Sequence, residues 1–152
     1  MKTSIIFILL YLVFSFSLSA QTTATWQGGK PGRTTDWNCA ANWSNGRIPD
    51  EFTQVIIPSY VSYYPVIQHT AAPIDALLLE DGTLLTIQDG AKLTILCETG
   101  IFDGVIVLGQ IRNNGILDIG ENAVMDAAFL QQVKGNGIVI RASASSDTLV
   151  RR

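Results

Sequence analysis

The sequence predicts an all-β fold, and the architecture that it favours is a short right-handed β-solenoid with a tryptophan-rich N-terminal cap. The first observation is that apolar pairs recur every eight residues, at Leu77/Leu79, Leu85/Ile87 and Leu93/Ile95. The second is that turn-forming dipeptides separate these pairs, at Asp81-Gly82 and Asp89-Gly90. Short strands with regular glycine-bearing corners are typical of solenoids, in which every coil packs its apolar stripe on the next. A β-sandwich is the alternative fold, and Asp-Gly turns also fit a meander of hairpins.

The chain divides into four segments by composition. These are a signal peptide at 1–20, a tryptophan-rich cap segment at 21–54, solenoid-like repeats at 55–140 and a C-terminal tail at 141–152. Alternation of apolar and polar residues in the repeats predicts which side chains point inward, namely Leu85, Ile87, Leu93 and Ile95. Helical spacing occurs only weakly, around Ala123–Val133, where a helix competes with the β pattern.

Residues 1–20 have the three parts of a secretory signal peptide. Lys2 supplies a positive charge, Ile5 to Phe14 form an almost unbroken apolar run, and small residues precede Gln21. The run is shorter than the roughly 20 apolar residues of a membrane span, which favours cleavage over anchoring. Cleavage after Ser19 or Ala20 would place the mature protein outside the cytoplasm. We expect it to be secreted or displayed at the cell surface, with the periplasm as the alternative.

Charge and hydropathy narrow the range of partners. The whole chain carries a formal net charge of −3, and removal of Lys2 with the signal peptide makes it −4. No basic run is present, so the sequence argues against nucleic acid and against an anionic membrane surface as partners. After Gln21 no apolar run approaches the length of a bilayer span, so no membrane span is expected in the mature chain.

Three tryptophans stand in the cap segment, Trp26, Trp37 and Trp43. One interpretation is structural, because the first coil of a solenoid exposes its core unless large apolar side chains cover it. The other is functional, because exposed indole rings in a secreted protein can stack on sugars. The partner would then be an extracellular glycan, and otherwise a surface protein.

The two cysteines, Cys39 and Cys97, also leave two interpretations open. An oxidising compartment permits a disulfide between them, which would close a long loop and stabilise the fold by roughly 4 kcal/mol. The alternative is a pair of buried thiols without a bond, since the sequence does not give the Cα separation that a disulfide requires.

The cap and the first repeats together resemble a module at the start of large secreted, β-helical, adhesin-like surface proteins of bacteria. The residues that carry the resemblance are Trp26-Gln27-Gly28-Gly29, Asp36-Trp37, Ala40-Ala41-Asn42-Trp43-Ser44, Gly46-Arg47-Ile48-Pro49, Val55-Ile56-Ile57-Pro58 and Gly90-Ala91-Lys92-Leu93-Thr94-Ile95. The resemblance covers roughly residues 24–120. It implies a β-helical fold and a non-catalytic structural or adhesive role at the cell surface.

No catalytic residue, metal site or cofactor is expected. His69 is the only histidine, and no Gly-x-Ser-x-Gly nucleophile motif is present. Asp81, Asp89 and Asp103 each precede a glycine and fit turns better than calcium loops, because no dense acidic loop accompanies them. Asn42-Trp43-Ser44 matches the N-glycosylation sequon, which in a bacterial protein is expected to be a chance match.

Overall fold

The computed structural model describes residues 21–98, 104–125, 127–141 and 148–150. The segment interpreted as a signal peptide and the turn residue Asp103 lie outside these described residues. The strands are β1 (Thr22–Thr25), β2 (Thr53–Ile57), β3 (Val66–Ile67), β4 (Ala76–Leu79), β5 (Leu84–Ile87), β6 (Lys92–Ile95), β7 (Val105–Val107), β8 (Gln110–Asn113), β9 (Ile116–Ile119), β10 (Val133–Lys134), β11 (Ile138–Arg141) and β12 (Thr148–Val150). Helix α1 spans Ala127–Gln132, and one turn of 3-10 helix spans Ala40–Asn42.

The strands form three sheets of four strands. The sheet orders are β1-β2-β4-β7, β3-β5-β8-β10 and β6-β9-β11-β12. Every strand pair is parallel except β11 with β12. Parallel partners in successive coils define a solenoid, so the predicted fold is confirmed. The sandwich and the hairpin meander are both wrong for this chain, because the Asp-Gly turns join neighbouring sheets rather than paired strands.

One complete coil contains β4, β5 and β6, one strand in each sheet. The eight-residue spacing of the apolar pairs is therefore the length of one side of a three-sided coil. The stacking repeat is a whole coil: Leu77 pairs with Val55 on one side and with Val105 on the other. Leu93 likewise pairs with Leu117, and Leu117 with Val139. The sequence thus located these three strands correctly, but the eight-residue period does not measure the distance between stacked strands.

The core is a continuous stack of aliphatic side chains inside the coils. All four residues predicted to point inward are fully buried, as are both leucines of the first pair. The residues between them point outward and are half-buried, for example Thr86 and Thr94. On the outer face Lys92 Nζ lies 2.6 Å from Asp118 Oδ2, an ion pair that joins two coils and contributes about 0–1 kcal/mol at such an exposed site.

Glycines occupy the corners for two different physical reasons. Gly82 and Gly90 have a φ of +75°, and a Cβ added to either would meet nothing within 4 Å, so these two glycines serve the turn conformation. Gly109, Gly115 and Gly120 sit at successive corners of the next coil and lie directly on the backbone of the preceding one. A Cβ at Gly120 would overlap the carbonyl oxygen of Leu96. These three glycines let the coils stack in close contact.

Substitution of any of the three glycines that lie on the preceding coil should therefore destabilise the stack. We expect Gly120→Ala to lower the free energy of unfolding by about 1–3 kcal/mol, because the new methyl group must push two coils apart. The matched control is Gly82→Asn, since asparagine tolerates the left-handed conformation and the site is open. Urea denaturation of both variants measures the difference, and equal midpoints would contradict the close contact.

The two ends of the stack differ from its middle. At the far end α1 stands where the first sheet would have its next strand, and it packs against β7 and β10. The weak helical spacing at Ala123–Val133, which competed with the β pattern, corresponds to a helix of six residues at Ala127–Gln132. At the near end β1, which the composition placed in the cap segment, already pairs with β2. Among the described residues no helix combines the length and apolarity needed to cross a membrane.

Candidate functional site

The three tryptophans form one cluster between β1 and the rest of the cap segment. Trp43 is the central ring, and its centroid lies 4.9 Å from that of Trp26 and 4.8 Å from that of Trp37. Both contacts are edge-to-face, a favourable arrangement of ring quadrupoles. Trp43 Nε1 donates to the carbonyl of Trp37 at 2.8 Å, and Trp26 Nε1 donates to the carbonyl of Tyr63 at 2.7 Å. The cluster therefore ties the cap segment together and ties it to the loop after β2.

All three indole rings are buried, with 2% or less of each residue exposed. They are part of the same apolar cluster as Val55 and Ile57 of the first full coil. A sugar-stacking platform needs exposed ring faces, and the structure places none at these positions. The cluster instead covers the end of the core, as expected if the tryptophans have a structural role.

A buried asparagine fixes the loop around the tryptophans. Asn42 Nδ2 donates to the carbonyls of Arg33, at 2.7 Å, and Asp36, at 3.0 Å, while its Oδ1 accepts from the N–H of Lys30 at 3.0 Å. Since the amide is fully buried and engaged on both sides, it is not an accessible glycan acceptor in the folded protein. The match to the glycosylation sequon is explained by this structural role.

The two cysteines are free and buried, so of the two interpretations the unbonded one holds in this structure. Cys39 lies in the cap segment, where its N–H donates to Asp36 and its carbonyl accepts from Asn42. Cys97 follows β6 and lies against Gly104, where a Cβ would come within 2.6 Å of its Sγ. The two thiols belong to different parts of the fold, which is why no disulfide joins them.

Burial raises the pKa of the Cys97 thiol to about 11, and the carboxylate of Asp75 adds to the effect. The folded state therefore holds this proton at pH values where the unfolded chain, with a thiol pKa near 9.0, releases it. The protonated Cys97 thiol therefore contributes to the free energy of unfolding. This contribution is fully present below about pH 9 and is lost as the pH rises towards about 11.

We expect the Cys97 thiol to be unreactive in the native protein. At pH 8 a thiol reagent such as DTNB should label it only after unfolding in urea, since the protonated thiol is a poor nucleophile. Between pH 9 and 11 the Cys97→Ala variant should lose stability less steeply than the parent protein. Cys39→Ala retains Cys97 and should follow the parent, whereas identical profiles for all three proteins would contradict the assignment.

A cleft of about 590 Å³ opens at the near end of the stack, beside the exposed start of β1. Its lining combines polar and apolar side chains: Thr22, Thr23, Asn45, Arg47, Ile48, Asp50, Phe52 and Thr53. Asp50 is engaged in a local turn, because its Oδ1 accepts from Thr53 Oγ1 at 2.7 Å and from the N–H of Phe52 at 3.2 Å. The carboxylate therefore stabilises the turn that precedes β2.

Among the described residues, the most exposed aromatic side chains lie elsewhere, in the loop from β2 to β3. Tyr60 is 79% exposed and Tyr63 is 49% exposed. The sequence-based hypothesis named the tryptophans as candidate binding residues and did not include this loop. The signal was present in the sequence, because Ser59–Tyr64 holds three tyrosines between two prolines. An aromatic run in a short, proline-bounded loop is a better mark of exposed rings than tryptophan alone.

The titratable residues considered from the sequence are scattered. His69 is exposed, Asp81 and Asp89 sit in exposed turns, and Asp118 pairs with Lys92. Within the described residues no three histidine, cysteine, aspartate or glutamate side chains come together as metal ligands would.

Comparison with known proteins gives one family match. The model of a family described as a domain of unknown function (DUF8693) matches residues 25–147, from the tryptophan cluster through the last parallel coil. No curated protein and no solved structure matches the chain. Because the family match spans most of its length, the chain belongs to the DUF8693 family.

Proposed function

We propose that this protein is an exported, non-catalytic structural module of the cell surface, with an adhesin-like role. The observation that carries the proposal is the continuous core, which extends from Trp26 through every coil to Phe129. A core of this kind makes the coils one rigid body, and repeat folds of this kind use their outer faces as extended binding surfaces. The outward residues of the strands remain available for contact.

The contacts of the residues just after the predicted cleavage point support the export proposal. β1 starts at Thr22, two residues after the predicted cleavage point at Ala20. Gln21 already belongs to the folded structure, because its Nε2 donates to Oδ2 of the buried Asp75. Cleavage after Ser19 or Ala20 would therefore leave Gln21 and β1 in the mature chain, with the contacts described for them.

Export is tested by following the protein in its native host. We expect N-terminal sequencing to find a mature chain that starts at Ala20 or Gln21, and external protease to degrade it in intact cells. Leu10→Arg should block processing by interrupting the apolar run, while Thr3→Ser serves as the matched control outside that run. Recovery of a processed chain protected inside the periplasm would support the alternative location. An uncleaved chain in the inner membrane or cytoplasm would overturn the proposal.

A further inference from the structure

The loop from β2 to β3 is held from three directions. The N–H and the hydroxyl of Ser59 both donate to Glu80 Oε2 of the next coil, each at 2.9 Å. Tyr64 Oη donates to the carbonyl of Ser59 at 3.3 Å, which closes the loop on itself. The carbonyl of Tyr63 accepts from Trp26 Nε1 of the buried cluster. The loop backbone is therefore ordered before any ligand arrives.

This anchored loop presents two tyrosine rings to solvent. The hydroxyls of Tyr60 and Tyr63 make no hydrogen bond to the described residues, so the rings combine an exposed apolar face with an unused polar group. Tyrosine loses little conformational entropy on binding, because only two side-chain torsions are fixed. A ligand that stacks on these rings gains their apolar contact without the cost of ordering the loop.

Two glycines lie next to Tyr63, one against its carbonyl and one beside its ring. A Cβ at Gly28 would lie 2.7 Å from the carbonyl oxygen of Tyr63 and 2.9 Å from Trp26 Nε1, so no larger residue fits there. A Cβ at Gly29 would lie 3.8 Å from Cδ2 of the Tyr63 ring, so a side chain there would project beside the ring. With glycine at position 29, no side chain from that position covers the edge of the ring.

The charges around the loop are mixed. Asp81, next to the Glu80 that anchors Ser59, is exposed and forms no ion pair within the described residues. Lys30, next to Gly29, is also exposed. Since one neighbour of the loop anchors is acidic and the other is basic, the charges beside the loop are not of one sign, which favours a ligand that offers hydroxyl groups over one that carries many charges of one sign.

We propose that Tyr60 and Tyr63 form a binding face for a neutral glycan, on which the rings stack against sugar C–H surfaces and Asp81 accepts hydrogen bonds from sugar hydroxyls. Nucleic acid fits poorly, because the described residues next to the loop include the acidic Glu80 and Asp81. The inference names a partner class for the surface module, and its biological meaning rests on the proposed function. The binding itself is a property of the purified protein and is tested separately.

Affinity electrophoresis of the purified protein in gels that contain neutral polysaccharides (β-glucan, mannan or xylan) tests the proposal, with acidic polygalacturonate as the charged comparison. We expect retardation by at least one neutral polysaccharide. The double variant Tyr60→Ala/Tyr63→Ala should bind about tenfold more weakly, since two aromatic contacts are lost. Tyr60→Phe/Tyr63→Phe retains the rings and should bind within about threefold of the parent protein.

The matched control is Phe52→Ala, because Phe52 is 46% exposed but lies at the cleft, away from the tyrosine loop. It should leave glycan retardation unchanged. Circular dichroism confirms that each variant is folded. The inference is overturned if no neutral polysaccharide retards the protein, if only polygalacturonate does so, or if the double alanine variant binds as the parent does. None of these results would bear on export, which is measured in cells.

Discussion

Replacement of Trp43 by alanine is expected to lower the free energy of unfolding by about 3–5 kcal/mol. The indole is the centre of the tryptophan cluster, so its removal ends both edge-to-face contacts and the hydrogen bond to the carbonyl of Trp37. It also opens a cavity over the first coil, where neighbouring side chains cannot close in without losing other contacts. Urea denaturation monitored by far-UV circular dichroism measures the effect.

The matched control for Trp43→Ala is Trp37→Phe. Trp37 Nε1 is buried without a hydrogen-bond partner in the described part of the chain, so phenylalanine keeps most of the ring and removes an unsatisfied donor. We expect this variant to lose clearly less stability than Trp43→Ala. If Trp43→Ala unfolded at the same urea concentration as the parent protein, the cluster would not close the end of the core.

Leu85→Ala is expected to cost about 2–5 kcal/mol. Leu85 is fully buried and pairs with Ile111 of the next coil, which is also fully buried. In a solenoid every inward residue touches the coils above and below, so one truncation weakens two interfaces. The loss is a large fraction of the stability of an ordinary domain.

Thr86→Ala is the control for Leu85→Ala. Thr86 belongs to the same strand but points outward and is half-buried, so its truncation should change stability by no more than about 0.5 kcal/mol. Equal losses for the two variants would show that the inward and outward faces of β5 are wrongly assigned.

The inward face of each strand could be read from the sequence, because alternation along a strand is a local property. Leu85 and Ile87 flank the outward Thr86, and no information from elsewhere is needed to orient them. The partners of these strands could not be read in the same way. Corners differ in length, from the long loop that carries Tyr60 to the short turn at Gly82, so stacked strands are separated by unequal stretches of chain.

The candidate site illustrates the same limit. Whether Trp43 is a core residue or a ligand platform depends on which segments cover it, and that depends on contacts between distant parts of the chain. The sequence therefore left both interpretations open. The same limit applies to the glycines that lie on the preceding coil: Gly120 is required by the nearby carbonyl of Leu96, a distant residue in the sequence, whereas Gly82 is required by its own positive φ. The exposed tyrosines could have been predicted from the sequence, because their proline-bounded loop is a local feature.

The reversed direction of β12 has a consequence for assembly. Parallel solenoids carry an inherent risk of polymerisation, because the last coil offers unpaired backbone groups on which another chain can continue the stack. Here β12 pairs antiparallel with β11 and occupies that edge of the third sheet, while α1 packs against β7 at the edge of the first. A second molecule would have to displace both elements before it could add a coil in register. The folded protein therefore protects two of its three sheet edges at this end against the addition of another coil.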